Sequence, residues 1–287
     1  MTGDENYLQT IKNYLQLAET RIKLFAHEAP IQGKPKRIGN EILESQRQND
    51  WYRRMDRNEV YAQFPEYKYY QKIVFNMHKA FEYRFEKVLS DESYLELKKL
   101  LGGIDFKQYL FNEELIKLDP SQNLNQAYWL SKLGLADLLE LYLARLLDTF
   151  PLSSLKKDAL EFHNQIYSYT HIVIVASEYY QNYVDPESHN QYTEFFSRHF
   201  EHIMAHGSTD MLAEIGIALR LTQSGGELLD RIKKVLMARF NGSYISFGDH
   251  TDLNKLQHTN MLAIMVLGEF SQLHPGPYFN TSQKEER

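Results

Sequence analysis

His171, Glu214 and His258 stand at successive intervals of 43 and 44 residues, each close to the beginning of a largely apolar stretch. Two imidazoles and a carboxylate brought to one place support two kinds of chemistry. They can hold zinc or another divalent cation through three protein ligands, leaving an open position at which water is activated. They can also move protons without a metal, Glu214 serving as general base or acid and a histidine as its partner. The same residues equally suit an ordinary role, each bonding a neighbouring backbone group inside a packed helix layer. The expected catalytic set is His171, Glu214 and His258, with metal ligation by the same three as the alternative. Tyr128, Trp129, Tyr167, Tyr244, Asp249 and His250 are the expected substrate-binding residues. Of these, Tyr128 and Trp129 lie about one interval before His171, while Asp249 and His250 sit in the loop before His258. His202 and His206 have the i, i+4 spacing of a metal pair, but they lack the intervening glutamate of metalloproteases and read as a solvated helix face. His163 is isolated.

The elements that would position these groups read as helices throughout. Residues 167–180, 210–222 and 257–267 are apolar nearly all round. Between them, residues 186–206 and 228–240 are amphipathic, the first introduced by Asp185-Pro186-Glu187, an N-cap with proline at the first helical position. Alternation of fully apolar with one-sided helices is the pattern of two concentric layers. A repeat of 43–44 residues matches one helical hairpin with its loops. Residues 244–247 are the only strand-like patch, too short for a sheet.

The first half is less regular. Residues 7–25 place apolar side chains at spacings of three and four, whereas residues 38–62 are polar and include the segment Trp51-Tyr-Arg-Arg-Met-Asp-Arg57, a possible protein contact. Residues 67–89 read as one long buried helix, residues 92–101 as another ending at Gly102-Gly103, and residues 124–149 as two pieces around Gly134. The expected fold class is all-α, a single domain over residues 1–287. Residues 1–64 are set as polar helices outside the repeats, which are clearest over residues 120–275.

Composition narrows the function classes. The net charge is −6 and the one basic cluster, Lys34-Pro-Lys-Arg37, is short, which disfavours nucleic acid as a partner. No apolar run reaches about 18 residues, so no membrane span is expected, and the N-terminal residues lack the order of a secretory signal, which makes the cytoplasm the expected location. With no cysteine, disulfides, thiolate nucleophiles and Cys-ligated zinc are excluded. Twenty tyrosines suit wet cavities and binding surfaces, and equally the seams between amphipathic helices.

The turn Asn241-Gly-Ser-Tyr244, followed by His258-Thr259, Ala263 and Leu267, resembles the repeats of α/α-toroid proteins such as terpenoid cyclases and protein prenyltransferases. Thr170-His171 opens the earlier segment in a similar way. The resemblance covers roughly residues 165–270 and implies an α/α toroid, in which parallel inner helices open onto one central cavity. It does not carry those families' chemistry: no Asp-rich diphosphate-binding segment is present, and the cysteine of a prenyltransferase zinc site is missing. The expected function is therefore a toroid enzyme acting on a small or peptide-like molecule, a sugar included, in a Tyr- and His-lined cavity. Hydrolase and lyase chemistry both remain open. The alternative is a non-catalytic binding or scaffold protein that grips a partner through its N-terminal helices.

Overall fold

In the computed structural model, the described residues are 5–48, 55–240, 242, 253–268, 273 and 276, without the side chains of 5–11, 55–56 and 253–255. They form sixteen helices and no strand, so the fold is all-α. They divide into two compact units, the first up to Arg145 and the second from Leu146 to His274. The expected contributions of Tyr244, Asp249 and His250, and the stretch 51–54, lie outside the described residues.

The first unit contains α1 (Glu5–Glu28), α2 (Lys34–Gln48), α3 (Met55–Tyr61), α4 (Glu66–Glu82), α5 (Glu86–Leu89), α6 (Glu92–Gly102), α7 (Lys107–Leu110), α8 (Glu113–Leu118) and α9 (Pro120–Lys132). Its centre is α4, packed against α1, α2 and α9. The long helix expected over residues 67–89 is broken at Arg84, which takes a left-handed φ of 52° between α4 and α5. Asp91 caps α6 by accepting from the Ser93 amide, as its position before Glu92 predicts. Asp119-Pro120 starts α9, with proline in the first turn where its missing N–H costs nothing. Gly134, at φ 64°, then ends α9 as the amide of Leu135 reaches back to the carbonyl of Leu130.

The division between the units falls within α10 (Leu139–Thr149). The second unit continues with α11 (Ala159–Ala176), α12 (Pro186–Arg198), α13 (Phe200–His206), α14 (Thr209–Leu221), α15 (Gly226–Arg239) and α16 (Leu253–Leu267). Here α14 packs between α11 and α16, while α12 lies against α11 and α14, and α15 against α14 and α16. Nearly every residue of α14 from Met211 to Leu221 is buried. By contrast α15 buries only Ile232 and Leu236. The expected difference between helices covered all round and helices covered on one stripe holds for α14 and α15, but α16, expected to be covered all round, leaves Met261 and Ile264 exposed.

Cross-helix pairings also give the helix directions. Tyr167 meets Asp210 and Thr170 meets Glu214, so α11 and α14 advance together. Asp210 meets Thr259 and Arg220 meets the carbonyl of Val266, so α14 and α16 do the same. Three neighbouring helices therefore run parallel.

Close approach within this layer depends on Gly216. A Cβ there would lie 2.9 Å from both γ-methyls of Val266 on α16 and 3.3 Å from Ile232 on α15. Because packed interiors resist extra volume, Gly216→Val is expected to destabilise the protein by about 1–3 kcal/mol, read as a lowered denaturation midpoint in urea. An unchanged midpoint would mean that the three helices are packed more loosely than described.

Candidate functional site

Asp210 and Glu214 are four residues apart on one face of α14, whose first turn is capped by Ser208 accepting from the Met211 amide at 3.1 Å. A helix N-terminus favours negative charge, which suits Asp210 in that turn. Glu214 lies one turn deeper and is only 2% exposed. The donors come from the two flanking helices. From α11, the Tyr167 hydroxyl donates to Asp210 Oδ2 at 2.7 Å and the Thr170 hydroxyl to Glu214 Oε2 at 2.6 Å. Thr170 Oγ1 is also 3.1 Å from the carbonyl oxygen of Tyr167. From α16, His258 Nδ1 and the Thr259 hydroxyl each lie 2.8 Å from Asp210 Oδ1. His171 Nε2 is 3.7 Å from the second oxygen of Glu214.

The His258–Asp210 contact has a chemical consequence. A carboxylate facing Nδ1 places the imidazole proton there and leaves Nε2 as the basic nitrogen, the arrangement by which an orienting acid prepares a general base. The His258 side chain is 58% exposed, so Nε2 can meet an incoming molecule while Nδ1 is tied to the protein. The bond to Asp210 raises His258 above the ordinary histidine value against the opposing effect of burial. Burial also works to raise the Asp210 carboxyl, but the bond and charge of His258, with the bonds from Tyr167 and Thr259, outweigh it and hold Asp210 below the usual carboxylate range. Tyr167 is pushed up by burial and by the charges of Glu214 and Asp210.

The same face of α14 carries Ile217 and Leu221 one and two turns beyond Glu214, and these line a cavity of about 270 Å³ with Tyr180, Tyr183, Leu229 and Met265. Tyr180 connects the two regions. It lines the cavity, and its phenol is raised by burial and by the charges of Glu214 and Asp210. It is reached through three consecutive left-handed residues, Glu178, Tyr179 and Tyr180, at φ 53°, 55° and 68°. Each such conformation costs a side-chain-bearing residue on the order of 1–3 kcal/mol. The Ser177 hydroxyl steadies the turn by accepting from the Tyr180 amide at 2.9 Å and donating to the Ile174 carbonyl at 2.7 Å.

His171, Glu214 and His258, expected from their intervals, all lie in this cluster, though not as one mutually contacting triplet. His171 faces Glu214, whereas His258 is bonded to Asp210, a residue that the intervals alone did not single out. The signal for it was present: Asp210 follows Tyr167 by 43 residues and precedes Glu214 by one helical turn. One ligand atom from each of Asp210, Glu214 and His258 lies within 4.8 Å of the others, so a cation would engage Asp210 in the place expected for His171. The expected position of His171 near a helix start is corrected. Asp158 caps α11 by accepting from the Leu160 and Glu161 amides, which puts His171 more than three turns into the helix. His163 stacks on Tyr167 at 4.3 Å between ring centroids. His202 and His206 are exposed and lie ring to ring at 4.4 Å.

Tyr128 and Trp129 belong to the first unit and pack around His78, edge-on at 5.6 Å and stacked at 5.7 Å respectively. Burial, reinforced by the charges of Lys79 and Lys132, brings His78 down to about 3, so its imidazole is neutral at ordinary pH. Of the segment proposed as a protein contact, Arg57 is directed onto Asp119 at 3.2 Å.

The shifts at Asp210 and His258 set a pH window. A raised histidine stabilises the fold fully below its unfolded value near 6.5, and that stabilisation is lost as pH rises through the higher folded value. A lowered aspartate stabilises above its unfolded value near 3.9 and loses this as pH falls through the lower folded value. The pair is therefore strongest at mildly acidic pH. An NMR titration of His258 is expected to show a pKa above 6.5 that falls on Asp210→Asn substitution. The stability difference between the native protein and His258→Gln is expected to be greater at about pH 5.5 than at about pH 8.5. An ordinary His258 pKa, unmoved by Asp210→Asn, would contradict the bonded pair.

The family model described as "Domain of unknown function (DUF3541)" matches residues 1–286, and the chain belongs to that family. Comparison with curated proteins and with solved structures returned no match. No helix among the described residues is long and apolar enough to cross a membrane.

Proposed function

We propose that the second unit carries the acid–base site of an enzyme acting on a small or peptide-like molecule. His258 is the proton-transferring group, Asp210 orients it, and Glu214 with His171 forms a second polar pair beside it. The observation that carries this reading is the 2.8 Å bond from Nδ1 of His258, a side chain 58% exposed, to a half-buried, multiply bonded carboxylate. The cavity one to two turns beyond Glu214 along α14, mainly apolar and lined in part by Tyr180, would hold the body of a substrate long enough for its reacting bond to reach His258. Hydrolysis and elimination both need a base at this position and an acid for the leaving group.

We propose in addition that α11, α14 and α16 are inner helices of an α/α toroid. Their parallel packing, with α12 and α15 covering the seams, supports that architecture. A second reading is favoured by the convergence of Asp210, Glu214 and His258 within 4.8 Å: two carboxylates and an imidazole would suit zinc or another divalent cation.

The test is turnover of a panel of aryl esters, peptide amides and aryl glycosides by the full chain. His258→Ala is expected to lower the rate on any accepted substrate by about 10²–10⁴-fold, and Glu214→Gln to lower it as well, measured at about pH 8.5 where the His258–Asp210 pair adds least to stability and on protein shown by circular dichroism to be folded. Full activity in His258→Ala would sink the acid–base assignment. Saturable ligand binding without turnover would favour a binding protein instead. Elemental analysis of protein purified without chelators separates the metal reading, which requires near-stoichiometric metal that is lost in Asp210→Asn.

A further inference from the structure

The first unit contains polar helix faces where a core would ordinarily be apolar. Lys68, Gln71 and Phe75 follow one another on one face of α4, and Gln122, Gln126 and Trp129 on one face of α9. Together with Arg57 on α3 and part of α2 they line a cavity of about 320 Å³ that opens to solvent at Lys72 and Gln122, at the lower end of the range of small-molecule sites.

Among the described residues its charges do not balance, with Arg57, Lys68 and Lys72 against Asp119. Asp119 is the one carboxylate among the lining residues, and it is already engaged by Arg57 at 3.2 Å and by the Tyr61 hydroxyl at 2.8 Å. Lys68 is 92% buried by the complement of its 8% exposure, and it makes no ion pair among the described residues. Its ammonium rests on the face of Tyr61, 3.5 Å from the ring centroid. Burial, partly opposed by the Asp119 charge and assisted by that of Arg57, brings Lys68 down to about 8, so it stays mostly protonated at neutral pH. A buried cation in excess is costly unless something supplies the missing negative charge.

Two further features point to a ligand. Gln126, one of the lining residues, is 4% exposed, and its Oε1 is buried without a hydrogen-bond partner. Phe75 and Trp129 meet edge to face at 5.4 Å, giving the same cavity an aromatic side.

We infer that this cavity is a binding site for a small organic oxyanion, a carboxylate or phosphate whose charge meets Lys68 and Arg57 and whose body lies against Trp129 and Phe75. Gln126 takes a polar group on that body. The site is separate in its residues from the acid–base cluster of the second unit, and it holds whether or not that cluster is catalytic.

Trp129 supplies the readout, since the chain has only one other tryptophan, Trp51. In full-length Trp51→Phe protein, emission would be followed during titration with sodium phosphate, phenyl phosphate, succinate and benzoate, each against sodium chloride of equal ionic strength. At least one oxyanion is expected to give a saturable change with half-saturation below about 1 mM. Preference for the phosphates or the carboxylates identifies the source of the charge. Lys68→Met is expected to weaken that binding at least tenfold while leaving the ligand-free thermal midpoint unchanged or higher, because it removes an uncompensated cation. Gln126→Leu, which keeps the side-chain size, is expected to weaken binding with Lys68 intact and provides the test should Lys68→Met not fold. No response beyond that of chloride, or native affinity in the folded variants, overturns the inference.

Discussion

A carboxylate buried within a layer of helices must receive its donors from other helices, because the backbone N–H groups of its own helix are already committed beyond the first turn. On α14 this constraint acts fully on Glu214, and half-buried Asp210 in the first turn draws donors from the same neighbours. Glu214 is served by Thr170 of α11, and Asp210 by Tyr167 of α11 together with His258 and Thr259 of α16. These polar contacts set the register of three helices that hydrophobic packing alone would leave free to slide by a turn. A slip would leave at least one carboxylate without partners, at a cost comparable to a large share of a domain's net stability. The arrangement that holds the layer together is thus the one that fixes the site.

The first unit meets the same constraint differently. Asp119 gathers Arg57 and the Tyr61 hydroxyl, and Tyr67 bonds to Asn123 while stacking on Tyr109 at 4.5 Å. Tyrosine serves both needs at once, filling volume with its ring and satisfying a buried acceptor with its hydroxyl. That accounts for part of the high tyrosine content. Tyr61, Tyr67, Tyr69, Tyr142 and Tyr169 are among the largest fully buried side chains.

The burial of α14 and the single buried stripe of α15 could be read from the apolar pattern, but α16, equally apolar in sequence, leaves Met261 and Ile264 exposed, and the spacing of 43–44 residues carried only part of the site. The same spacing predicted that His171 would meet Glu214. It did not predict the partner of His258, since a 44-residue step and the observed 48-residue pairing differ by about one helical turn. Asp210 gives little signal in the sequence, because an acid at a helix start already has a sufficient local explanation in the helix dipole. Helix limits were harder to read wherever a non-glycine residue breaks the chain, as at Arg84, or where a break carries no glycine or proline. Residues 186–206 read as one helix, yet α12 and α13 part at His199. In the first unit, polar residues at helical spacing line a cavity open to solvent at Lys72 and Gln122, and a pattern search takes such a face for an ordinary surface.

The Thr170 hydroxyl has one proton and two acceptors, Glu214 Oε2 at 2.6 Å and the Tyr167 carbonyl at 3.1 Å. The shorter contact takes that proton, so the bond across the seam is favoured over the one within α11. A single hydroxyl hydrogen thereby acts as a latch: a side chain of the same shape without it would fill the space between α11 and α14 yet leave Glu214 Oε2 with no donor from α11.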